Sequence, residues 1–283
     1  MELGLNLVMV RPEHMPEIAR RAEDAGYGSV FVPDHVIFPA RVESPYPYSP
    51  DGSFPFPLDT PLHDAWLVLT SIAAATTTLQ VGTAVYVVGL RHPFVTARAV
   101  TSLDVLSGGR VLLGVGAGWL AEEFTVMGLD PRRRFSRLEE CIEILRKLWT
   151  ESPVAHHGHH FAFDAVHFAP RPVREPHPPI LLGGDSDAAL ARAARIADGW
   201  MSGGVSTDVA EIEARVDKLR ALREEHAPGT RIDVTVLFPR PTADDLGRLE
   251  AAGVDRVVVI PWDRGRDAIP ALETFASTVA AGA

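Results

Sequence analysis

The chain sets an acid beside an imidazole in Val32-Pro33-Asp34-His35, directly after a short apolar run. An imidazole next to a carboxylate can exchange a proton near neutral pH, because the carboxylate orients the ring and favours its charged form. The same pair can also do no more than pin a loop, and both readings stand. A second group is Gly114-Val115-Gly116-Ala117-Gly118-Trp119. Its alternate glycines clear side chains from one face of a strand end, so a flat ring or a phosphate can approach the backbone. Tight packing alone would ask for the same residues. It is not the dinucleotide fingerprint, since Trp119 stands where the third glycine belongs. A third group is Leu182-Gly183-Gly184-Asp185-Ser186, followed at once by an alanine-rich helical pattern. Bare amides at a helix start attract anions, phosphate above all. Asp185 weighs against an anion there, and a plain helix cap on Asp185 or Ser186 is the simpler alternative.

Other patterns carry less chemistry. His156-His157-Gly158-His159-His160 has the composition of a metal site but no spaced acidic partner that would define a geometry, so an exposed polar loop is expected. Arg132-Arg133-Arg134 precedes a helical stretch bearing Glu139 and Glu140, which points to surface ion pairing. No Gly-x-Ser-x-Gly elbow, His-Glu-x-x-His pair or Walker loop occurs. One cysteine, Cys141, forbids an intrachain disulfide and a cysteine-based zinc site. The formal charge of −10 repels phosphate backbones, so neither nucleic acid nor an anionic membrane is an expected partner. No apolar run approaches the ~20 residues of a membrane helix, and the first residues lack a signal-peptide pattern. A cytoplasmic protein is expected.

The elements that must position these residues follow from hydrophobic pattern. Apolar runs occur at Leu3–Met9, Ser29–Pro33, Leu79–Val88, Arg110–Val115, Ile180–Gly183, Gly199–Ser202, Ile232–Phe238 and Val254–Pro261. Several are unbroken aliphatic stretches, as in Val257-Val258-Val259-Ile260, which is how strands buried on both faces of a parallel sheet read. Helical periods lie between them, for example Leu138, Cys141, Ile142, Leu145 and Leu148, or Val209, Ile212, Val216 and Leu219. Ala19, Ala22 and Ala25 mark the first crossover, with Gly26 as its stop. Alternation of this kind predicts an α/β chain forming a (β/α)8 TIM barrel, one domain over residues 1–283, with a doubly wound open sheet as the competing arrangement. Two long insertions interrupt it, one after the second strand (residues 36–63) and one before the fifth (150–178). The first is rich in proline and carries Tyr46, Tyr48, Phe54 and Phe56. It leaves the C-terminal face, where barrel active sites form, and is expected to cover a substrate.

Taken as an ordered set, these residues resemble the luciferase-like monooxygenase superfamily. The resemblance rests on Ala25-Gly26-Tyr27 leading to Asp34-His35, on Thr101-Ser102-Leu103-Asp104-Val105-Leu106-Ser107-Gly108-Gly109-Arg110, and on Gly114 to Trp119 with Glu122-Glu123. Pro179-Ile180-Leu181-Leu182-Gly183-Gly184 and Ala197-Asp198-Gly199-Trp200 complete it. It is specific from Leu3 to about Val205 and matches only in pattern beyond. Within the superfamily the chain looks most like the branch dependent on coenzyme F420, an 8-hydroxy-5-deazaflavin, while sister branches use FMN.

The resemblance implies the (β/α)8 barrel and a set of roles. Asp34 would touch the deazaflavin ring, and His35 would give or take a proton beside its reactive carbon. Ala84-Val85 falls where relatives have a non-prolyl cis peptide behind the ring. Gly116, Ala117 and Gly118 would line the ring and its side arm, Glu122 would approach the tail, and Gly183, Gly184 and Ser186 would hold the phosphate. Members that oxidise glucose 6-phosphate carry a glutamate where this chain has Trp119, which argues against that activity here. Trp119 with Tyr46 and Phe54 suggests an apolar or aromatic substrate pocket. The expectation is an F420-dependent oxidoreductase acting on a small molecule, without a metal. The alternatives are an FMN-dependent monooxygenase served by a partner reductase, and a non-catalytic deazaflavin-binding protein. Family members are often homodimers, and no interface is legible in the chain.

Overall fold

The computed structural model describes residues 1–282. The chain begins β1 (Glu2–Asn6), α1 (Met15–Asp24), β2 (Ser29–Val32), α2 (Ala65–Ala75), β3 (Gln80–Thr83), β4 (Tyr86–Val87), α3 (Pro93–Ser107), β5 (Val111–Gly116) and α4 (Ala121–Val126). It continues α5 (Arg134–Thr150), β6 (Val154–His157), β7 (Ala162–Val166), β8 (Ile180–Gly183), α6 (Asp187–Ile196) and β9 (Gly199–Met201). It ends α7 (Val209–His226), β10 (Asp233–Leu237), α8 (Ala243–Ala251), β11 (Arg256–Val259) and α9 (Ala268–Gly282).

Neighbouring strands pair in the order β3-β2-β1-β11-β10-β9-β8-β5, and a β3–β5 pairing closes the ring into an eight-stranded parallel barrel. The short β4 extends the β3 arm and pairs with the end of β5, Tyr86 opposite Val115. Every expected apolar run supplies a strand. The exception in detail is Leu79–Val88, which is not one strand: it divides into β3 and β4 around a cis Ala84–Val85 peptide.

Alternation within the strands explains the closure. Phe31, Leu112, Leu181, Met201 and Val258 pack together inside the ring, while their neighbours, such as Val30, Val32, Val111, Leu113 and Val257, pack outward against the helices. Gly82 is small because Phe31 needs its space: a Cβ there would stand 2.7 Å from the Phe31 ring. The N-terminal end is sealed by buried Arg256, which reaches Glu2 (2.7 Å), Gln80 (2.9 Å) and Thr235 (3.1 Å). That face therefore serves stability, and the open chemistry is left to the other.

The helices form where the periodicity puts them. Leu138, Cys141, Ile142, Leu145 and Leu148 are all buried on α5, as are Val209, Ile212, Val216 and Leu219 on α7. Gly26, with φ +87°, ends the first crossover. No helix among the described residues is long and apolar enough to cross a membrane.

The second insertion is not simply a loop. Its residues Val154–His157 and Ala162–Val166 pair as an antiparallel hairpin beside α5. His156 is 6 % exposed, and its Nε2 lies 3.1 Å from Glu140 Oε1, so the exposed polar loop expected holds for His157, Gly158 and His159 but not for His156. A histidine at an inward position hid the strand alternation, because Val154 and His156 are the buried residues of β6. Among the described residues no cluster of histidine, cysteine and acidic side chains could hold a metal. The arginine run also pairs differently. Arg132 holds Asp130, whereas Glu139 is taken by Arg192 and Arg195 from α6.

Candidate active site

Because all eight barrel strands are parallel, their C-terminal ends meet on one rim. The rim carries Asp34 and His35 after β2, Val85 after β3, Gly116 to Trp119 after β5, Gly183 to Ser186 after β8, and Gly203 and Gly204 after β9. The groups singled out in the sequence thus converge.

Val85 organises the floor of this mouth. A Cβ on Gly116 would stand 2.5 Å from Val85 Cγ2, and one on Gly183 would stand 2.9 Å from Val85 Cγ1. The two glycines therefore admit the Val85 side chain, which lies between the ends of β5 and β8. Gly118 has φ +81°, and a Cβ there would meet Val87 and Phe124 at 2.7 and 2.9 Å. Ala117, between them, packs partly buried against the core. The floor is narrow-walled and poor in side chains, as the alternate glycines suggested, but the first beneficiary is a valine of the chain itself.

Asp34 and His35 do not pair with each other. Consecutive residues leaving a strand project to opposite sides, and each finds its own partner. Asp34 is 3 % exposed and binds Arg91 through both oxygens (2.7 and 2.5 Å), with the Val87 amide donating to it at 3.0 Å. The Arg91 guanidinium also lies over the Tyr86 ring, 4.4 Å from its centre. Burial would lower the Arg91 pKa, but the Asp34 hydrogen bonds and charge outweigh it and raise it. The expected acid-base pairing is thus replaced by a buried ion pair that fixes β4 against the end of β2. His35 instead places Nδ1 2.8 Å from Glu123 Oε2. The other Glu123 oxygen accepts from the amides of Val36 (2.6 Å) and Ile37 (3.2 Å). His35 Nε2 has no hydrogen-bond partner among the described residues.

The insertion after β2 folds back over the mouth. Phe54 stacks on Trp119 with ring centres 5.3 Å apart, and Tyr46 meets Trp119 edge-on at 5.1 Å. Phe38 lies 4.6 Å from the His35 ring and 5.2 Å from Phe54, so one aromatic cluster joins the lid, the end of β5 and the imidazole. Glu122 anchors the lid from α4, accepting from the amides of Glu43 (2.8 Å) and Ser44 (2.9 Å). Burial alone would raise the Glu122 pKa, but the Ser44 and Glu43 donors hold it below its ordinary value. Glu122 Oε1 therefore serves the lid, while Oε2 is buried with no hydrogen-bond partner among the described residues.

At the β8 end, Ser186 Oγ accepts from the Ala189 amide at 3.2 Å, which is a cap on α6. Trp200 Nε1 donates to the Gly184 carbonyl at 2.7 Å. Asp185 turns to β9, accepting from the amides of Gly203 (2.8 Å) and Gly204 (3.1 Å). Glu123, Arg91, Phe38, Tyr48 and Asp185 all belong to the site but not to its sequence expectation. Glu123 stood in the motif beside Glu122, and Arg91 followed the third strand. What each binds depends on chain crossings that no local spacing reports.

The C-terminal rim of the closed barrel thus carries the part-buried His35–Glu123 pair, the glycines around Val85 and the aromatic lid together. The chain matches the luciferase-like monooxygenase family over residues 4–257, and it belongs to that family. An uncharacterized protein of Mycobacterium tuberculosis is 36% identical over 274 residues, 93% of each chain. An F420-dependent glucose-6-phosphate dehydrogenase of Amycolatopsis mediterranei is 31% identical over 266 residues, 93% of this chain and 68% of that one. An FMNH2-dependent dimethylsulfone monooxygenase of Pseudomonas putida is 33% identical over 187 residues, 65% of this chain and 51% of that one. In fold, the coenzyme F420-dependent tetrahydromethanopterin reductase of Methanopyrus kandleri superposes with a TM-score of 0.75, covering 99% of this chain and 98% of that one at 18% identity.

Proposed function

We propose that the chain is a coenzyme F420-dependent oxidoreductase that moves a hydride between the deazaflavin and a small apolar or aromatic organic molecule. The observation that carries this reading is His35, an imidazole on the barrel rim whose Nδ1 is held by a buried carboxylate while Nε2 is left for proton exchange. F420 is taken as the first reading because the relative named for F420 aligns over 93% of this chain at 31% identity, while the one named for FMNH2, at 33% over 65%, keeps FMN as the second.

The residues present fit a flat ring. Gly116 and Gly183 bring no side chain beside Val85, where any Cβ would strike it, and the backbone left bare there would suit a flat ring. Ala84, Val85, Gly116, Ala117 and Gly118 would hold the ring. Gly183, Gly184 and Ser186 would stand around its anionic tail, with Asp34 behind the site, keeping β4 in place through Arg91. The bound coenzyme supplies the hydride chemistry. His35 holds or moves the accompanying proton at Nε2, and Glu123 fixes the ring that does so. Trp119, Tyr46 and Phe54 exclude water and offer aromatic faces to the substrate.

The test is turnover of reduced F420 with small apolar or aromatic hydride acceptors, such as ketones and enones, with and without oxygen, in the wild type and in His35→Ala. The reading expects F420 oxidation without oxygen uptake, and a variant that binds F420 as before but does not turn it over. Unchanged turnover in His35→Ala would remove the imidazole from the mechanism. An oxygenated organic product formed from reduced FMN and O2, beyond the free flavin's own reaction with O2, would support the second reading, a monooxygenase fed by a partner reductase, which the name of the Pseudomonas putida relative favours.

A further inference from the structure

Asp185 occupies an unexpected place. It sits in the turn between Gly184 and Ser186, where the tail of the cofactor is proposed to lie, and its carboxylate takes two consecutive backbone amides, those of Gly203 and Gly204. Two neighbouring N–H groups converging on one carboxylate are a cradle for an anion, and this chain fills it with an anion of its own. Tyr48 of the lid closes the same spot. A Cβ on Gly203 would stand 2.3 Å from the Tyr48 hydroxyl, and one on Gly204 would stand 2.6 Å from its ring, so both positions need glycine for the ring to rest there. Burial raises the Tyr48 pKa, and the neighbouring charge of Asp185 adds to it. The phenol therefore stays neutral beside the carboxylate.

We propose that Asp185 is a specificity-determining residue that competes with the cofactor's phosphate for the Gly203 and Gly204 amides. The phosphate then gains little over the bare ring, because it must displace one carboxylate and approach its charge. This inference rests on the reading of the mouth as a ring-and-phosphate site. A helix cap is a separate matter, already supplied by Ser186. Asp185 makes no hydrogen bond to the first turn of α6 among the described residues, and its two bonds go across to the end of β9.

The experiment compares dissociation constants for a phosphorylated ring and for the same ring without phosphate. The pairs are 8-hydroxy-5-deazariboflavin 5′-phosphate with 8-hydroxy-5-deazariboflavin and FMN with riboflavin, measured by fluorescence quenching in the wild type, Asp185→Ser and Asp185→Asn. The quantity read is the advantage conferred by phosphate in whichever ring system binds. Removing the competing charge should raise that advantage about tenfold or more in both variants. Affinity for the phosphate-free ring should stay within about twofold, which also reports that the variants are folded. An unchanged advantage, or a smaller one, with both rings still bound overturns the role of Asp185 and leaves the functional reading standing. If neither ring system binds the wild type, the functional reading falls, and the inference falls with it.

Discussion

His35 and Glu123 lie 88 positions apart in the chain and meet at 2.8 Å, joining the end of β2 to the first turn of α4. The carboxylate is 1 % exposed and spends its second oxygen on the amides of Val36 and Ile37, so the imidazole and the start of the lid are held by one group. A ring nitrogen bound to a buried acid has its tautomer and its plane fixed. Rotation of the imidazole would break the bond, so the contact with Glu123 opposes it.

Replacing Glu123 with glutamine tests that relationship. The amide oxygen can still accept from Val36 and Ile37, but the NH2 then faces Nδ1 and donates to it, which holds the opposite tautomer. Turnover should fall by roughly a hundredfold while cofactor affinity holds, since positioned proton transfer is worth about that much. Steady-state kinetics beside a binding titration separate the two effects. Equal losses in binding and turnover would make Glu123 a folding residue only.

The Val85 floor makes a sharper steric prediction. Gly116→Ala places a Cβ where Val85 Cγ2 stands 2.5 Å away, and the crowding should cost about 1–3 kcal/mol and weaken cofactor binding. Val85→Ala in the same chain opens the space and should restore most of the stability. Urea denaturation of both variants checks this, and an additive double variant would contradict it.

The Asp34–Arg91 pair predicts a stability loss rather than a catalytic one. Asp34 has a fully buried side chain, and Arg91→Ala leaves its carboxylate with the Val87 amide alone. Breaking one side of a buried ion pair costs about 3–5 kcal/mol. Denaturation of Arg91→Ala should show a loss of that size. Asp34→Ala combined with Arg91→Ala should lose less than the two single changes added together.

Glu122 ties lid closure to pH. Its carboxyl titrates below the ordinary 4.5 in the folded chain, so the clamp on Glu43 and Ser44 is fully present above 4.5 and is lost as pH falls through the lower folded value. Limited proteolysis within residues 36–63 should quicken in that acid range, and at neutral pH in Glu122→Ala. Cleavage that ignores both changes would show that the aromatic cluster alone holds the lid.

Much of this was legible before the structure, for identifiable reasons. Strands buried on both faces must be continuously apolar, so Val257–Ile260 and its counterparts announced a parallel sheet, and the β3–β5 pairing closes it. The glycine at 116 announced a close approach, which Val85 makes, whereas Gly183, read as part of an anion site, also makes room for Val85. Partnership was not legible. Asp34 stands beside His35 in sequence, yet strand geometry sends them apart, to Arg91 and Glu123, which lie 57 and 88 positions away. The β6–β7 hairpin escaped because His156 fills a core-facing position that an apolar residue would have advertised, and it is paired there with Glu140. The aromatic content of the lid pointed to a cover, but its seat on Gly203 and Gly204 needed the fold.

The most direct measurement is an anaerobic equilibrium titration of the purified chain with F420 and, separately, with FMN, followed by absorbance and fluorescence. The account predicts saturable binding of F420, tighter than any binding of FMN, and loss of that binding in Gly116→Ala. Tight FMN binding with no F420 binding would contradict the assignment of the coenzyme. Failure to bind either ring would contradict the site itself.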